Sequence, residues 1–104
     1  MPDVKVNFTT PRGNTYVYYA HPIGTSFKSE GGNYMFAYQR GNTWYPVYVG
    51  QTNNLNARIS NHEKLPAAMR HGATHVLSHL NANEQVRKAE EAELIGWLDR
   101  KSTR

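Results

Sequence analysis

A predicted β-hairpin constrains the fold of this chain more than any other feature. Residues 34–38 and 43–49 are rich in aromatic and β-branched side chains, and the turn-forming residues Arg-Gly-Asn lie between them at 40–42. This pattern predicts two antiparallel strands joined by a tight turn. Pro46 interrupts the second run, which suits an edge strand or a bulge because proline has no N–H to donate to a neighbouring strand.

Signals on either side of the hairpin predict an alternation of short strands and helices. Asparagine caps, a glycine stop and period-two alternation mark most of these elements. The predicted strands lie at 5–8, 16–20 and 74–80. The predicted helices are one capped by Asn53 or Asn54 that runs to about residue 62, one at 66–70 stopped by Gly72, and one at about 82–101.

This order of elements predicts an α+β fold with a small, mainly antiparallel three-stranded sheet flanked by helices. A length of 104 residues fits one compact domain. We expect residues 31–104 to form that domain, and residues 1–30 to be an N-terminal arm or added strands.

Composition narrows the classes of partner and compartment. The chain has no cysteine and no long apolar run, and residues 1–10 lack the apolar segment of a signal peptide, so we expect a cytoplasmic protein without a membrane span. Residues 4–83 carry seven lysines and arginines against two acids. A basic body favours polyanionic partners such as nucleic acid, although ordinary solubilising charge explains it about as well.

Four side chains between residues 34 and 62 are suited to cutting a phosphodiester. Tyr34 and Tyr48 each lie close to a glycine, where backbone or ligand can approach. Arg58 and His62 are four residues apart, so they share one face of the predicted helix. The planar guanidinium group can donate two hydrogen bonds to a phosphate. The two tyrosines and the arginine also have simpler interpretations. The tyrosines could pack in the core, and the arginine could be a solvated surface residue.

Glu91 is the candidate carboxylate. At 100° per residue, the long helix places Glu91 within an apolar stripe beside Leu94 and Ile95. The same geometry places Glu90 at the edge of the stripe and Glu93 toward solvent. A carboxylate within an apolar stripe is costly unless it is paired or binds a metal.

The alternative role for Glu91 is a surface ion pair. Arg87 and Lys88 lie four and three residues before it, within reach on a helix.

Four ordered motifs resemble the GIY-YIG nuclease family. Residues 32–34 (Gly-Asn-Tyr) lie where the family has Gly-Ile-Tyr, and residues 48–50 (Tyr-Val-Gly) lie where it has Tyr-Ile-Gly. Residues 51–62 are similar to the following helix with its arginine and histidine, and 91–95 resemble the helix in which a glutamate precedes Leu-Ile. The chain departs from the family in having Asn33 in the first motif, Gln51 after the second and no asparagine in 99–104.

The resemblance implies a metal-dependent endonuclease that hydrolyses phosphodiester bonds in nucleic acid, with DNA favoured over RNA. A tyrosine would activate water beside one divalent cation, Mg²⁺ or Mn²⁺. The implied catalytic residues are Tyr34, Tyr48, Arg58, His62 and Glu91, with Glu91 also the metal ligand; the nucleic-acid-binding residues are Gly50, Gln51, Arg58, Lys64 and Arg70.

Two other functions remain open on the same fold. The chain could be a catalytically idle nucleic-acid-binding module, or an interaction subunit of a DNA repair or restriction assembly. A single active site cuts one strand, so either a homodimer or a partner protein is expected to direct the cutting.

Overall fold

A five-stranded antiparallel sheet forms the centre of the fold. The computed structural model describes residues 4–101, with side chains for residues 4–97. The elements are β1 (Val4–Thr9), β2 (Thr15–Pro22), β3 (Gly32–Arg40), β4 (Thr43–Thr52), α1 (Leu55–Ser60), α2 (Leu65–Arg70), β5 (His75–Leu80) and α3 (Glu84–Lys101). The predicted α+β class and order of elements are confirmed. The side chain of Leu98 and the termini at 1–3 and 102–104 lie outside the described residues.

The strand order is β1-β2-β5-β3-β4, and every described pairing is antiparallel. The expectation of three strands holds for β3, β4 and β5 but is incomplete. In a three-stranded sheet β5 would be an edge strand with unpaired backbone groups. The hairpin of β1 and β2 pairs with that edge, so the segment before residue 31 supplies added strands.

The β3–β4 hairpin contains both the predicted tight turn and the predicted bulge. Gly41 has a positive φ of 63°, which the first central position of a tight hairpin turn requires. Tyr48 pairs with Phe36 and Pro46 with Ala37, so Val47 is the extra residue of a bulge on the outermost strand. Tyr48 thereby lies on the same side of the sheet as Phe36.

The sheet has two covered faces, which we call the α1 face and the α3 face. The α1 face packs Tyr34 and Phe36 against Leu55 and Ile59 of α1. The α3 face packs strand residues against Leu94 and Trp97 of α3; those strand residues include Val6, Phe8, Tyr18, Met35 and Leu77. No helix in the described part of the chain is both long and apolar enough to cross a membrane.

The orientation of α3 differs from the sequence-based expectation. Glu90 is buried, at 2 % exposed, whereas Ile95 is 41 % exposed and Glu91 is only half-buried. Tyr18 and His79 both donate hydrogen bonds to Glu90 Oε2, which offsets part of the cost of burial, while the buried Oε1 has no hydrogen-bond partner among the described residues.

The prediction that Glu93 points to solvent is also wrong. Thr10, Asn14 and Tyr16 donate hydrogen bonds to its carboxylate. These donors come from the β1–β2 hairpin, and helical periodicity alone does not reveal them.

Close packing at Gly50 leads to a test of the fold. A Cβ atom at residue 50 would lie 2.5 Å from the Tyr34 hydroxyl oxygen. We therefore expect Gly50→Ala to lower the free energy of unfolding by about 1–3 kcal/mol, as overpacking does. Urea denaturation measures the change.

Gly96→Ala is the matched control. Nothing lies within 4 Å of a Cβ atom at Gly96, in α3, so this variant should gain up to about 1 kcal/mol from helix propensity. Equal stability of Gly50→Ala and the native protein would show that Tyr34 does not lie against Gly50 in solution.

Candidate active site

The Tyr34 hydroxyl is held against the outermost strand of the sheet. Tyr34 pairs with Gly50 across β3 and β4, and its ring crosses the space that a side chain at residue 50 would fill. The residue is only 1 % exposed. A glycine at position 50 therefore allows the phenol to reach the edge of the sheet.

His62 fixes the direction of a short chain of hydrogen bonds. The backbone N–H of Lys64 donates to His62 Nδ1 at 3.0 Å, so we assign the ring proton to Nε2. Nε2 lies 2.7 Å from the Tyr34 hydroxyl oxygen and donates to it. The Tyr34 proton is then available for donation to another group.

The pKa of His62 supports this assignment. Burial, reinforced by the positive charge of Arg58, lowers the pKa of His62 to about 4. The ring is therefore neutral at pH 7 and acts as a fixed donor toward Tyr34.

Aromatic rings enclose His62 on one side. The ring centroid of Tyr48 lies 5.0 Å from that of His62 and 6.2 Å from that of Tyr34. The Phe36 centroid is 4.8 Å from that of His62. Because Tyr48 reaches this group only after the bulge at Val47, the irregularity in β4 helps to bring the two phenols together.

Arg58 completes the cluster from α1. A hydrogen-bonding contact with Tyr34 is the main cause of its raised pKa, and Tyr48 adds a smaller effect. The pKa of Tyr34 is raised to about 12 because burial outweighs the opposing contact with Arg58. Tyr34 thus keeps its proton near neutral pH, which suits hydrogen-bond donation better than proton abstraction.

Glu91 lies on the other helix layer and has a free carboxylate. Glu93 is hydrogen-bonded to the β1–β2 hairpin, and helix geometry separates it from Glu91 by about 160° around α3. Glu91 is therefore on the flank of α3 toward β3 and β4, as is Arg87, which reaches Gln51. Among the described residues Glu91 has no hydrogen bond or ion pair, and burial raises its pKa while Lys88 opposes the shift.

The predicted surface pairing of Glu91 is not present. Lys88 Nζ lies 3.5 Å from Glu84 instead, and Arg87 donates to Gln51 and to the backbone of Asn81. Glu91 is thus the member of the Glu90, Glu91 and Glu93 group that retains an unpartnered carboxylate.

The structure brings Tyr34, Tyr48, Arg58 and His62 together on the α1 face. Glu91 lies on α3, in the helix layer on the other face of the sheet, and makes no hydrogen bond or ion pair with them. The predicted nucleic-acid-binding residues have different environments. Lys64 and Arg70 are exposed, Gly50 underlies Tyr34, Arg58 belongs to the cluster, and Gln51 accepts a hydrogen bond from Arg87. A binding role for these five residues stays a prediction.

A divalent cation fits the single carboxylate only with ligands from outside the chain. No group of three or more histidine, cysteine or acidic side chains converges among the described residues. A half-buried, unpaired carboxylate is still a suitable ligand for Mg²⁺, which keeps several waters and is often bound through one or two carboxylates and substrate phosphates.

Sequence reasoning missed Arg87 as a member of this region. Arg87 is buried, and its backbone oxygen accepts a hydrogen bond from the fully buried Asn33 side chain at 2.9 Å. Asn33 and Gln51 pair across β3 and β4. Two facing amides on adjacent strands are a signal that a polar group from another element covers them.

Comparison with protein-family models, with curated proteins and with solved structures found no match for this chain.

The lowered pKa of His62 predicts a loss of stability in acid. The folded pKa of about 4 lies below the ordinary value of 6.5, so the unfolded chain binds the proton more readily. The stabilisation is fully present above pH 6.5 and is lost progressively as the pH falls toward 4. We expect the melting temperature to fall over this range, and less steeply in His62→Gln.

The comparison with His62→Gln separates this effect from that of His79. Hydrogen bonding to Glu90 raises the pKa of His79, so its contribution is lost as the pH rises, in the opposite sense. Parallel curves of melting temperature against pH for the two proteins would contradict the prediction.

Proposed function

We propose that this protein is a metal-dependent endonuclease of the GIY-YIG type that hydrolyses phosphodiester bonds in nucleic acid, with DNA as the favoured substrate. The observation that carries the proposal is the meeting of Tyr34, Tyr48, Arg58 and His62 at one edge of the sheet. The same order of motifs that resembles the family supplies all four groups. The free carboxylate of Glu91, on the flank of α3 toward that edge, supports the remaining role.

Arg58 and Tyr34 contact the phosphate or the attacking water in this mechanism, and His62 orients Tyr34. Arg58 donates hydrogen bonds to the non-bridging oxygens of the phosphate that is cut. The guanidinium group stabilises the extra negative charge that develops there as the bond order changes. His62 remains neutral and orients the Tyr34 hydroxyl, which in turn donates its proton as a hydrogen bond to the phosphate or to the attacking water.

Tyr48 is the general base. Its phenolate oxygen removes a proton from the attacking water as the water oxygen bonds to phosphorus. The bond from phosphorus to the leaving oxygen breaks, and that oxygen takes up a proton from solvent water. We assign this role to Tyr48 because burial raises the pKa of Tyr34 to about 12, so Tyr34 keeps its proton near neutral pH.

Glu91 would hold the divalent cation, Mg²⁺ or Mn²⁺. When bound, the cation supplies charge neutralisation at the phosphate and the leaving oxygen.

The size of the chain bears on how the cut is directed. The described residues form one sheet with its helices, which leaves little surface for reading a long sequence. We propose cutting of low sequence specificity, or cutting directed by a second copy of the chain or by a partner protein.

Glu91→Gln tests the role of the carboxylate. We expect cleavage to fall by at least ~100-fold, because the cation loses its protein ligand. The melting temperature should stay the same or rise, since the carboxylate has no hydrogen-bond or ion-pair partner in the described part of the chain. The assay measures cleavage of supercoiled plasmid, branched DNA, single-stranded DNA and RNA, each with Mg²⁺, with Mn²⁺ and with EDTA.

Glu84→Gln is the matched control because Glu84 is exposed on the same helix, and this variant should cut normally. Undiminished cleavage by Glu91→Gln would transfer the metal role to another acid. Binding of these substrates without any cleavage by the native protein would favour the idle binding module.

The phenolate mechanism predicts that the rate depends on pH. A phenol acts as a general base only after it has lost its own proton, so the active fraction of the protein grows as the pH rises. We expect cleavage to accelerate between pH 7 and 9, and Tyr48→Phe to remove both the activity and the slope.

Tyr45→Phe, which changes an exposed tyrosine of the same strand, should keep the native profile. A flat or falling profile in the native protein would argue against a tyrosine base.

A further inference from the structure

Arg87 holds a buried positive charge that no acid neutralises within the described part of the chain. The residue is 3 % exposed. Its Nε donates to Gln51 Oε1 at 3.2 Å, and its Nη1 donates to the Asn81 backbone oxygen at 2.9 Å. Both acceptors are neutral. The two ion pairs present among the described residues, His79–Glu90 and Glu84–Lys88, do not include it.

A buried guanidinium group without an acidic partner is uncommon, because burial of an uncompensated charge is costly. The cost falls if an anion binds beside it. Hydrogen bonds to neutral oxygens orient the group but leave its charge available, and that arrangement suits an anionic ligand that comes and goes.

A groove gives an anion access to Arg87. Its volume is about 430 Å³, and it lies where the segment before β3, the β4–α1 connection and the β5–α3 connection converge. Besides Arg87, the polar residues that line the groove include Ser29, Asn53 and Asn81. These neutral groups can donate or accept hydrogen bonds around an oxyanion.

The groove wall beside Arg87 is bare backbone. A Cβ atom at Gly31 would lie 2.6 Å from Arg87 Nη1, so the guanidinium group packs directly against the main chain. Glu30 also borders the groove, but it is exposed to solvent, and its charge is therefore screened more strongly than that of Arg87.

The position of the groove relates it to the candidate active site. Gln51, which accepts from Arg87, directly follows Gly50, over which the Tyr34 hydroxyl lies. Tyr34 and Arg58 belong to the α1 face, whereas Arg87 approaches Gln51 from α3. A nucleic-acid backbone that crosses the edge of β4 at Gly50 would therefore meet one arginine on each side.

We propose that Arg87 and this groove form a phosphate subsite, which binds a backbone phosphate of the nucleic acid next to the one that is cut. The subsite rests on the proposed function for its place in catalysis. Binding of the phosphate by Arg87 does not depend on cleavage and is measured separately.

Gln51→Glu is the most direct test. It places a carboxylate at the atom that already accepts from Arg87, so the new ion pair competes with a bound phosphate while the arginine stays in place. The probe is a labelled single-stranded oligonucleotide, with a duplex of the same sequence in parallel, titrated in EDTA at several salt concentrations. We expect the dissociation constant to rise about tenfold, the salt slope to fall by about 1, and the melting temperature to hold or rise.

Gln85→Glu is the matched control. It makes the same change in charge two residues from Arg87, at an exposed position about 200° around α3. Its dissociation constant should change much less than that of Gln51→Glu. Equal losses in the two variants, or no loss in either, would overturn the subsite.

A second measurement serves if Gln51→Glu does not fold. Inorganic phosphate should raise the melting temperature of the native protein more than chloride of equal ionic strength, and this difference should shrink in Arg87→Lys, which keeps the charge but loses the fork. If phosphate raises the melting temperature of the native protein and of Arg87→Lys by the same amount relative to chloride, the proposal is overturned.

The nuclease and subsite proposals fail in different ways. Binding that is sensitive to Gln51→Glu, without cleavage of any substrate, would leave the subsite standing and remove the nuclease. Cleavage with equal binding by Gln51→Glu and Gln85→Glu would do the reverse.

Discussion

The hydrogen bond between His62 and Tyr34 over Gly50 is the interaction on which the candidate site depends. It joins the α1–α2 connection to the middle of β3 and sets the direction in which the phenol can donate. Arg58 contacts Tyr34, and the Tyr48 ring stacks beside the Tyr34 ring. The bond lies in a region of low solvent access, where hydrogen bonds are stronger than in water. A displaced Tyr34 ring would therefore disturb each of the other three groups.

Local patterns predicted much of the fold. The Asn54 cap, the stop at Gly72 and the turn at Gly41 depend on the backbone preferences of one or two residues, and all three are present. Pro46 predicted an edge strand or a bulge for a similarly local reason, and both are present. The pairing of β2 with β5 was beyond such reasoning, because it joins residues more than fifty positions apart and has no signal within either strand.

For the candidate site too, local patterns predicted the positions of some residues correctly, whereas positions that depend on long-range contacts were not predicted. Tyr34, Tyr48, Arg58 and His62 follow one another along a hairpin and its next helix, so their meeting depends on short-range geometry. The environment of Glu91 depends on how α3 is turned, and polar groups of the β1–β2 hairpin decide that. The apolar stripe suggested a rotation toward Ile95, whereas hydrogen bonds to Glu90 and Glu93 hold the helix in another orientation. Arg87 was missed because a buried arginine has no periodic signature.

The bonds from the β1–β2 hairpin to Glu90 and Glu93 also constrain motion. Both carboxylates lie on α3. They accept hydrogen bonds from β2, which lies toward the opposite edge of the sheet from β4. The helix cannot rotate about its long axis without breaking both attachments, so the β1–β2 hairpin fixes the direction in which Arg87 and Glu91 face β4. Removal of β1 and β2 would leave both Arg87 and Glu91 in the chain but would remove the hydrogen bonds that orient their helix.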